Sequence, residues 1–247
     1  MTVSVPTKVL ITVMTYPHPS EKYQELVCVA GITEKYEWVR LYPIDYRYRP
    51  KHQRFQKYHW IDVDLAPKGQ GNDNRKESRK PALDTIRICS EVLSTKNKWE
   101  QRRAIIDRMP HYTINQLIEH YSTEKMSLGI VKPKRILDLK VTPANPQWKS
   151  EWNDLFKQLR LFGPPQKPLR KLPYKFQYVF ECEDSKKPHC IMIEDWELGV
   201  LFLKESDRLG SDELAAKSVR EKYFEKCAEK IKTHNSLWVP AFLIIHG

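Results

Sequence analysis

The sequence predicts an α+β fold that is rich in β-strands, with two small barrel-like or twisted sheets and helices between them. Three observations predict it: strand-like segments fill the first 95 residues, the middle has helical periodicity, and strands mix with helices after residue 128. This order is not the regular strand–helix alternation of a doubly wound domain. We therefore predict a first β-barrel over residues 1–95, a helical connector over 96–127 and a second β subdomain with helices over 128–247.

The strands of the first unit are predicted from β-branched and aromatic residues. They are the ranges 8–14, 24–31, 36–42, 58–65 and 84–92. In the range 58–65, Ile61, Val63 and Leu65 alternate onto one face. The two prolines of TYPHPS (15–20) argue against regular structure there, and the polar run 69–81 is predicted to be a long loop.

The rest of the chain is predicted from its periodicity. Ile114, Leu117, Ile118 and Tyr121 form the stripe of an amphipathic helix. Tyr174, Phe176, Tyr178 and Phe180 share one face of a strand over 173–182. The predicted helices are 97–109, 113–121, 147–160, 195–205 and 212–231, and the predicted strands are 128–132, 134–141, 173–182, 189–193 and the final WVPAFLIIHG.

Composition excludes several classes of protein. Hydrophobic residues make up 40% of the chain, enough for a buried core. Five cysteines do not make a disulfide framework, and no apolar run approaches the roughly 18 residues that span a bilayer. The opening MTVSVPTKVLITVM has neither a basic leader nor a cleavage site. We expect a cytoplasmic, basic, globular protein that does not contact a membrane.

The net charge of +11 is concentrated in two segments. Residues 40–108 hold 17 Lys/Arg against 9 Asp/Glu, and residues 132–175 hold 11 against 3, so each carries +8. Segregated positive charge is typical of proteins that bind polyanions, although a solvated basic surface gives the same counts.

Aromatic and basic residues are interleaved in the first of these segments. Tyr36, Trp38, Arg40 and Tyr42 fall on one face of a predicted strand, which suits base stacking and phosphate contact, or else core packing with Arg40 at the rim. The following run, PIDYRYRPKHQRFQKYHW, continues the pattern. The loop 69–81 carries Arg75, Lys76, Arg79 and Lys80 and could follow a phosphate backbone or simply be solvated.

Signals for catalysis and metal binding are weaker. His18, in the rigid TYPHPS segment, has no nearby partner for acid–base chemistry. Cys182, His189 and Cys190 could supply three ligands, but C-x6-H-C is not a zinc-site spacing. Asp62 and Asp64 share a strand face, as ligands of a Mg²⁺-dependent nuclease do, with Glu194 as the candidate third carboxylate. We therefore expect no catalytic residues, metal or cofactor.

Several motifs resemble a known family. VLITVMTYPHPSEKYQELVCVAGI, WVRLYPIDYR, FQKYHWIDVDL and DNRKESRKP resemble the first half of the prokaryotic dual OB-containing domain proteins, and KLPYKFQYVFECED, IMIEDWELG and VREKYFEK resemble their second half. The resemblance implies two OB-type barrels and a nucleic-acid-binding role in bacterial defence or mobile elements. It assigns binding or structural roles to residues that include Pro17 and Trp196.

We predict a non-catalytic nucleic-acid-binding protein whose ligand is RNA or single-stranded DNA, because OB-type grooves combine a basic track with stacking aromatics. The alternatives are an interaction subunit of a helicase, nuclease or effector complex, with Trp148 and Trp152 as anchors, and a metal-dependent nuclease. The predicted contacts are Tyr16, Ser20, Lys22, Tyr23, Arg40, Tyr42, Arg47, Arg49, Lys57, Tyr58, Arg75, Arg79, Lys171, Tyr174 and Lys175.

Overall fold

The structure is a computed structural model that describes residues 4–20, 24–69, 73–152, 169–185 and 187–234. It confirms the α+β class, with helices and strands each forming 31% of the chain in several small sheets. Within the described residues no sheet closes into a barrel. The two predicted barrel-like sheets are therefore open in the part of the chain that the structure describes.

A six-stranded sheet organises the first half of the chain, in the order β7-β5-β4-β1-β6-β8. The central strand β1 pairs antiparallel with β4 on one side and with β6 on the other. Its buried side chains pack with Phe55 and Ile44 into the main hydrophobic core. The strands of this half are β1 (Val5–Met14), β2 (His18–Ser20), β3 (Gln24–Leu26), β4 (Val29–Thr33), β5 (Trp38–Leu41), β6 (Trp60–Leu65), β7 (Ser78–Arg79) and β8 (Arg87–Ile88).

The alternation predicted for β6 is confirmed, because Ile61, Val63 and Leu65 are buried. Two other expectations fail. The TYPHPS segment does contain a strand, β2, whose one partner among the described residues is β3. No second strand there requires a backbone N–H from Pro19, which has none to donate. The predicted strand 84–92 shortens to β8, since a 3₁₀ turn at Leu83–Thr85 precedes it.

The middle of the chain contains two helices and a short parallel ladder. Helix α1 (Lys96–Ile106) opens with a left-handed turn through Asn97, Lys98 and Trp99. Helix α2 (Ile114–Glu124) begins at a capping box, in which Thr113 and Gln116 satisfy each other's backbone N–H groups. Between and after the helices lie β9 (His111–Tyr112) and β10 (Ile130–Val131), which pair in parallel.

The second half is a three-stranded antiparallel sheet covered by two helices. The strands β11 (Arg135–Pro143), β12 (Tyr174–Glu181) and β13 (His189–Met192) pair in that order, and helices α3 (Trp196–Leu209) and α4 (Asp212–His234) follow. Phe176, Tyr178 and Phe180 are buried, which confirms the alternation predicted for β12. Most of the predicted helix 147–160 and the whole predicted final strand lie outside the described residues.

No helix in the described ranges is both long enough and apolar enough to cross a membrane.

Candidate nucleic-acid interface

A cavity of about 520 Å³ lies where the two halves of the chain meet. The first half contributes Met14 of β1 and the segment between β5 and β6, and the second half contributes α3 from Trp196 to Lys204. The walls are partly aromatic and partly charged. The side chains that define its chemistry are Tyr46, Phe55, Lys57, Trp196, Glu197 and Lys204.

Tyr46 contacts both of the other aromatic side chains that line the cavity. Its ring packs edge-on against Phe55 at 5.3 Å and against Trp196 at 5.4 Å between ring centroids. The Tyr46 hydroxyl also donates a hydrogen bond to the Phe55 carbonyl. Burial raises the pKa of Tyr46 to about 12, although Arg54 opposes the shift, so the phenol stays neutral and remains a donor. Phe55 itself is fully buried, so Tyr46 and Trp196 are the two of these rings with surface exposed to the cavity.

Lys57 is committed to an ion pair at the edge of this cavity. Its ammonium lies 2.6 Å from an Asp195 carboxylate oxygen and 3.0 Å from one of Glu197. Burial lowers the pKa of Lys57, but the two carboxylates outweigh it and the net pKa is raised. The predicted role of Lys57 as a phosphate ligand does not fit this geometry, because its charge is already neutralised.

Tyr58 and Arg102 form a stacked pair beside Lys57. The Arg102 guanidinium carbon lies 3.7 Å from the centroid of the Tyr58 ring, and its Nε donates to the Leu93 carbonyl. Both residues are buried. Tyr58 was predicted to stack on a base, but Arg102 already covers its ring, which makes this a structural cation–π contact.

Tyr16 joins the two halves rather than contacting a ligand. It is 9% exposed, its hydroxyl donates to the Arg170 carbonyl at 2.8 Å, and its backbone N–H donates to the Glu194 carbonyl at 2.7 Å. Burial raises the pKa of Tyr16 to about 12, opposed by Arg47 and Arg170. This burial argues against the predicted contact between Tyr16 and nucleic acid.

Among the described residues, Arg40 is the most deeply buried of the predicted contacts. Its side chain is 1% exposed, and its guanidinium donates to the Cys28 sulfur at 2.8 Å and to the Ser127 hydroxyl at 2.7 Å. The Ser127 hydroxyl donates in turn to the Glu77 carboxylate. The sequence placed Arg40 on a strand surface, but the loops that carry Glu77 and Ser127 cover that face and enclose it.

Other predicted cations are also paired. Arg47 makes an ion pair with the buried Glu25 at 2.8 Å, and Arg49 makes one with Asp45 at 2.8 Å. Burial raises the pKa of Glu25 despite the opposing effect of Arg47. Arg75 lies 3.7 Å from Asp73, and the Arg79 guanidinium donates to the carbonyls of Ser78 and Lys76.

The remaining predicted contacts differ in exposure. Lys171 donates to the Gln147 carbonyl and lies over the Trp148 ring, and Tyr174 packs on Phe202. Ser20 and Tyr42 are half-buried, whereas Lys175 is exposed. Lys22 and Tyr23 lie outside the described residues. The indole of Trp148, proposed as an interface anchor, donates to the Leu169 carbonyl and is half-buried.

Sequence reasoning missed Phe55 and Lys204 as members of one site. Phe55 lies in the aromatic and basic run 43–60, so its composition carried a signal. Lys204 is one lysine on a helix, and nothing in its local sequence points to a segment about 150 positions earlier. Trp196, which the family resemblance selected, does line the cavity.

The three carboxylates proposed for a nuclease do not come together. Among the described residues, the one group of Cys, His, Asp and Glu side chains that converges closely enough to hold a metal ion is Cys182, Asp184 and His189. Asp62, Asp64 and Glu194 form no such group. The geometry therefore gives the nuclease alternative no support.

Comparison with known families gives two adjacent matches. Residues 5–108 match a domain of unknown function (DUF8758), and residues 110–239 match another domain of unknown function (DUF8757). The two matches meet between α1 and α2. Neither description mentions an OB fold, and no curated protein matches the chain.

Proposed function

This chain belongs to the DUF8757 family, whose model matches more than half of it, and we propose that it is a non-catalytic nucleic-acid-binding protein. We favour RNA or single-stranded DNA as the ligand. The observation that carries the proposal is the cavity between the halves, with the half-buried rings of Tyr46 and Trp196 in its wall and its exposed Lys204.

The size and chemistry of the cavity suit one unstacked base. Its volume of about 520 Å³ falls in the range of about 300–1,000 Å³ usual for small-ligand sites. Aromatic faces bind bases of any sequence by stacking, at about 1–3 kcal/mol per base. A base inside a duplex is not available to such a site, which favours single-stranded or looped ligands.

Exposed cations supply the second line of support. Lys204 forms no ion pair with any carboxylate among the described residues, in contrast to Lys57 on the same cavity. Further exposed cations without a carboxylate partner in the described part of the chain come from both basic segments. They include Lys51, Lys80, Arg87, Lys132, Lys140, Lys149 and Lys175. Their charges remain available to phosphates.

The biological setting is proposed from the sequence resemblance alone. The dual OB-containing resemblance favours a cytoplasmic accessory factor in a prokaryotic defence or mobile-element system. A role as subunit of a helicase, nuclease or effector complex is compatible with nucleic-acid binding, because such a subunit contacts the same ligand.

Binding of labelled RNA, single-stranded DNA and duplex DNA across a salt series tests the function. We expect the logarithm of the association constant to fall with the logarithm of salt concentration by about 0.7 for each single-strand phosphate contacted. A slope near zero, or tighter binding to duplex than to single strands, would overturn the proposal. Retention of a protein partner after nuclease treatment, together with a flat slope, would favour the interaction subunit instead.

Charge-reversal variants of two lysines test whether the cavity is the nucleic-acid-binding site. Lys204→Glu removes the exposed cation of the cavity, and Lys217→Glu makes the same charge change on an exposed position of α4 that does not line it. We expect Lys204→Glu to weaken binding about tenfold or more relative to Lys217→Glu, the size of one lost charged hydrogen bond. Equal effects would move the site away from the cavity.

A further inference from the structure

The turn between β12 and β13 brings three metal-ligating side chains together. Cys182 directly follows β12, Asp184 lies in the turn, and His189 begins β13. The ligand atoms of the three side chains all lie within 4.8 Å of one another. A tetrahedral zinc site holds its ligands at about 2.0–2.3 Å from the metal, so two ligand atoms of one ion lie at most about 4.6 Å apart, close to the spacing of this cluster.

One buried nitrogen of this cluster has no hydrogen-bond partner among the described residues. Cys182 is 3% exposed. The His189 Nε2 atom is buried and has no hydrogen-bond partner among the described residues. A buried polar atom without a partner is costly and rare in folded proteins. A metal ion would use the lone pair of that nitrogen.

The surrounding structure holds the ligands in place. Cys182 packs in one hydrophobic cluster with Ile114 and Phe180, and burial there raises the pKa of its thiol against the opposing effect of the Ile114 backbone N–H. Ser185 stabilises the turn, because its backbone N–H donates to the Cys182 carbonyl and its hydroxyl donates to the Lys187 carbonyl at 2.8 Å. The cluster is therefore built into the fold before any ion binds.

We propose that Cys182, Asp184 and His189 bind a Zn²⁺ ion, with water in the fourth position. Thiolate, imidazole and carboxylate together are the ligand set of zinc, whereas Mg²⁺ and Ca²⁺ require oxygen ligands throughout. Binding releases the thiol proton of Cys182 to solvent as the sulfur–zinc bond forms. The ion closes the β12–β13 turn and is independent of the nucleic-acid proposal.

Cys190 explains why sequence spacing did not reveal the site. His189 and Cys190 are neighbours on β13, so they point to opposite faces, and Cys190 is exposed. The third ligand is Asp184, giving the spacing C-x-D-x4-H. Cys190 also supplies a matched control, since it is a thiol one position from a ligand and outside the cluster.

Metal analysis of the purified full chain after dialysis against Zn²⁺ tests the proposal. We expect one bound zinc per chain, lost in Cys182→Ser and His189→Ala and retained in Cys190→Ser. With Co²⁺ as the probe, wild type should gain the near-ultraviolet absorption of a sulfur–cobalt bond, and Cys182→Ser should not.

The Asp184→Asn variant separates loss of a zinc ligand from misfolding, because Asp184 is exposed and the change is nearly isosteric. We expect this variant to keep the circular dichroism spectrum of wild type while its zinc affinity falls about 10-fold or more. Absence of zinc from wild type, loss of zinc in Cys190→Ser equal to that in Cys182→Ser, or unchanged affinity in Asp184→Asn would each overturn the site.

Discussion

The Lys57 ammonium lies 2.6 Å from the Asp195 carboxylate, across 138 residues of sequence. Asp195 is also the N-cap of α3, where its side chain accepts from the backbone N–H groups of Glu197 and Leu198. One carboxylate therefore starts the helix that lines the cavity and joins it to the first half of the chain. The ion pair sets the position of the cavity rather than supplying its charge.

The two roles of Asp195 can be separated by substitution. Asp195→Asn keeps a capping oxygen but loses the ion pair, and we expect it to lower the free energy of unfolding by about 1–3 kcal/mol because Lys57 is left largely buried without its nearest partner. Asp195→Ala also loses the cap and should cost about 1 kcal/mol more. Urea denaturation measures both. Equal losses would mean that the side chain does not cap α3.

The lowered pKa of Glu205 predicts how the stability of the second half changes at acidic pH. Arg208, Lys222 and Ser218 lower its pKa to about 2, from a usual value near 4.5. Since folding lowers the pKa of Glu205, its ionised carboxylate stabilises the folded state fully when the pH is above the usual pKa of about 4.5. This stabilisation of the folded state is lost as pH falls from about 4.5 towards 2.

We expect Glu205→Gln to melt at a lower temperature than wild type at neutral pH, and the difference should shrink as pH falls towards 2 and disappear below it. Glu221→Gln, at an exposed position of α4, is the control and should melt like wild type throughout. Melting curves followed by circular dichroism across this pH range measure the effect. An undiminished difference at pH 2 would contradict the assigned charge interactions.

The Arg40 network predicts a stability effect where the sequence predicted a binding effect. Ser127→Ala removes the acceptor of Arg40 and one donor to Glu77 inside the protein, so we expect a loss of about 1–3 kcal/mol in the free energy of unfolding. Oligonucleotide affinity of the folded variant should be unchanged. If Ser127→Ala weakened oligonucleotide binding and left the free energy of unfolding unchanged, Arg40 would belong to the nucleic-acid interface.

Local pattern explains which parts of the fold could be predicted. The alternation in β12 and the stripe of α2 are set by neighbours in sequence, and the structure buries Phe176, Phe180, Ile114 and Leu117 as expected. Ile118 belonged to the same predicted stripe but is 52% exposed, because the buried face of α2 is narrower than the pattern implied.

The candidate site could be predicted only in part, because pairing between distant charges is invisible in sequence. Composition identified the aromatic and basic run, but it could not show that Glu25 would neutralise Arg47 or that Glu77 would lie beside Arg40. Arg47, Arg49 and Lys57 are ion-paired within the chain for this reason. Long-range partners decide whether a cation faces a ligand or the core.

Gly199 tests how tightly the two halves pack. A Cβ at this position of α3 would overlap the ring of Tyr16, whose hydroxyl bonds to Arg170. Replacing glycine by alanine favours a helix by about 1 kcal/mol, but overpacking costs about 1–3 kcal/mol. We expect overpacking to win, because the Tyr16 ring is buried and held at its far end.

Gly199→Ala should therefore lower the urea midpoint in the wild-type background. In a Tyr16→Ala background the obstacle is gone, and the same substitution should raise the midpoint, because only the helix preference remains. The change in urea midpoint caused by Gly199→Ala therefore has opposite signs in the two backgrounds. This comparison separates overpacking against Tyr16 from helix propensity, and it does not require the stability cost of Tyr16→Ala to be known. If Gly199→Ala stabilises both backgrounds, the contact between α3 and Tyr16 is looser than the structure describes.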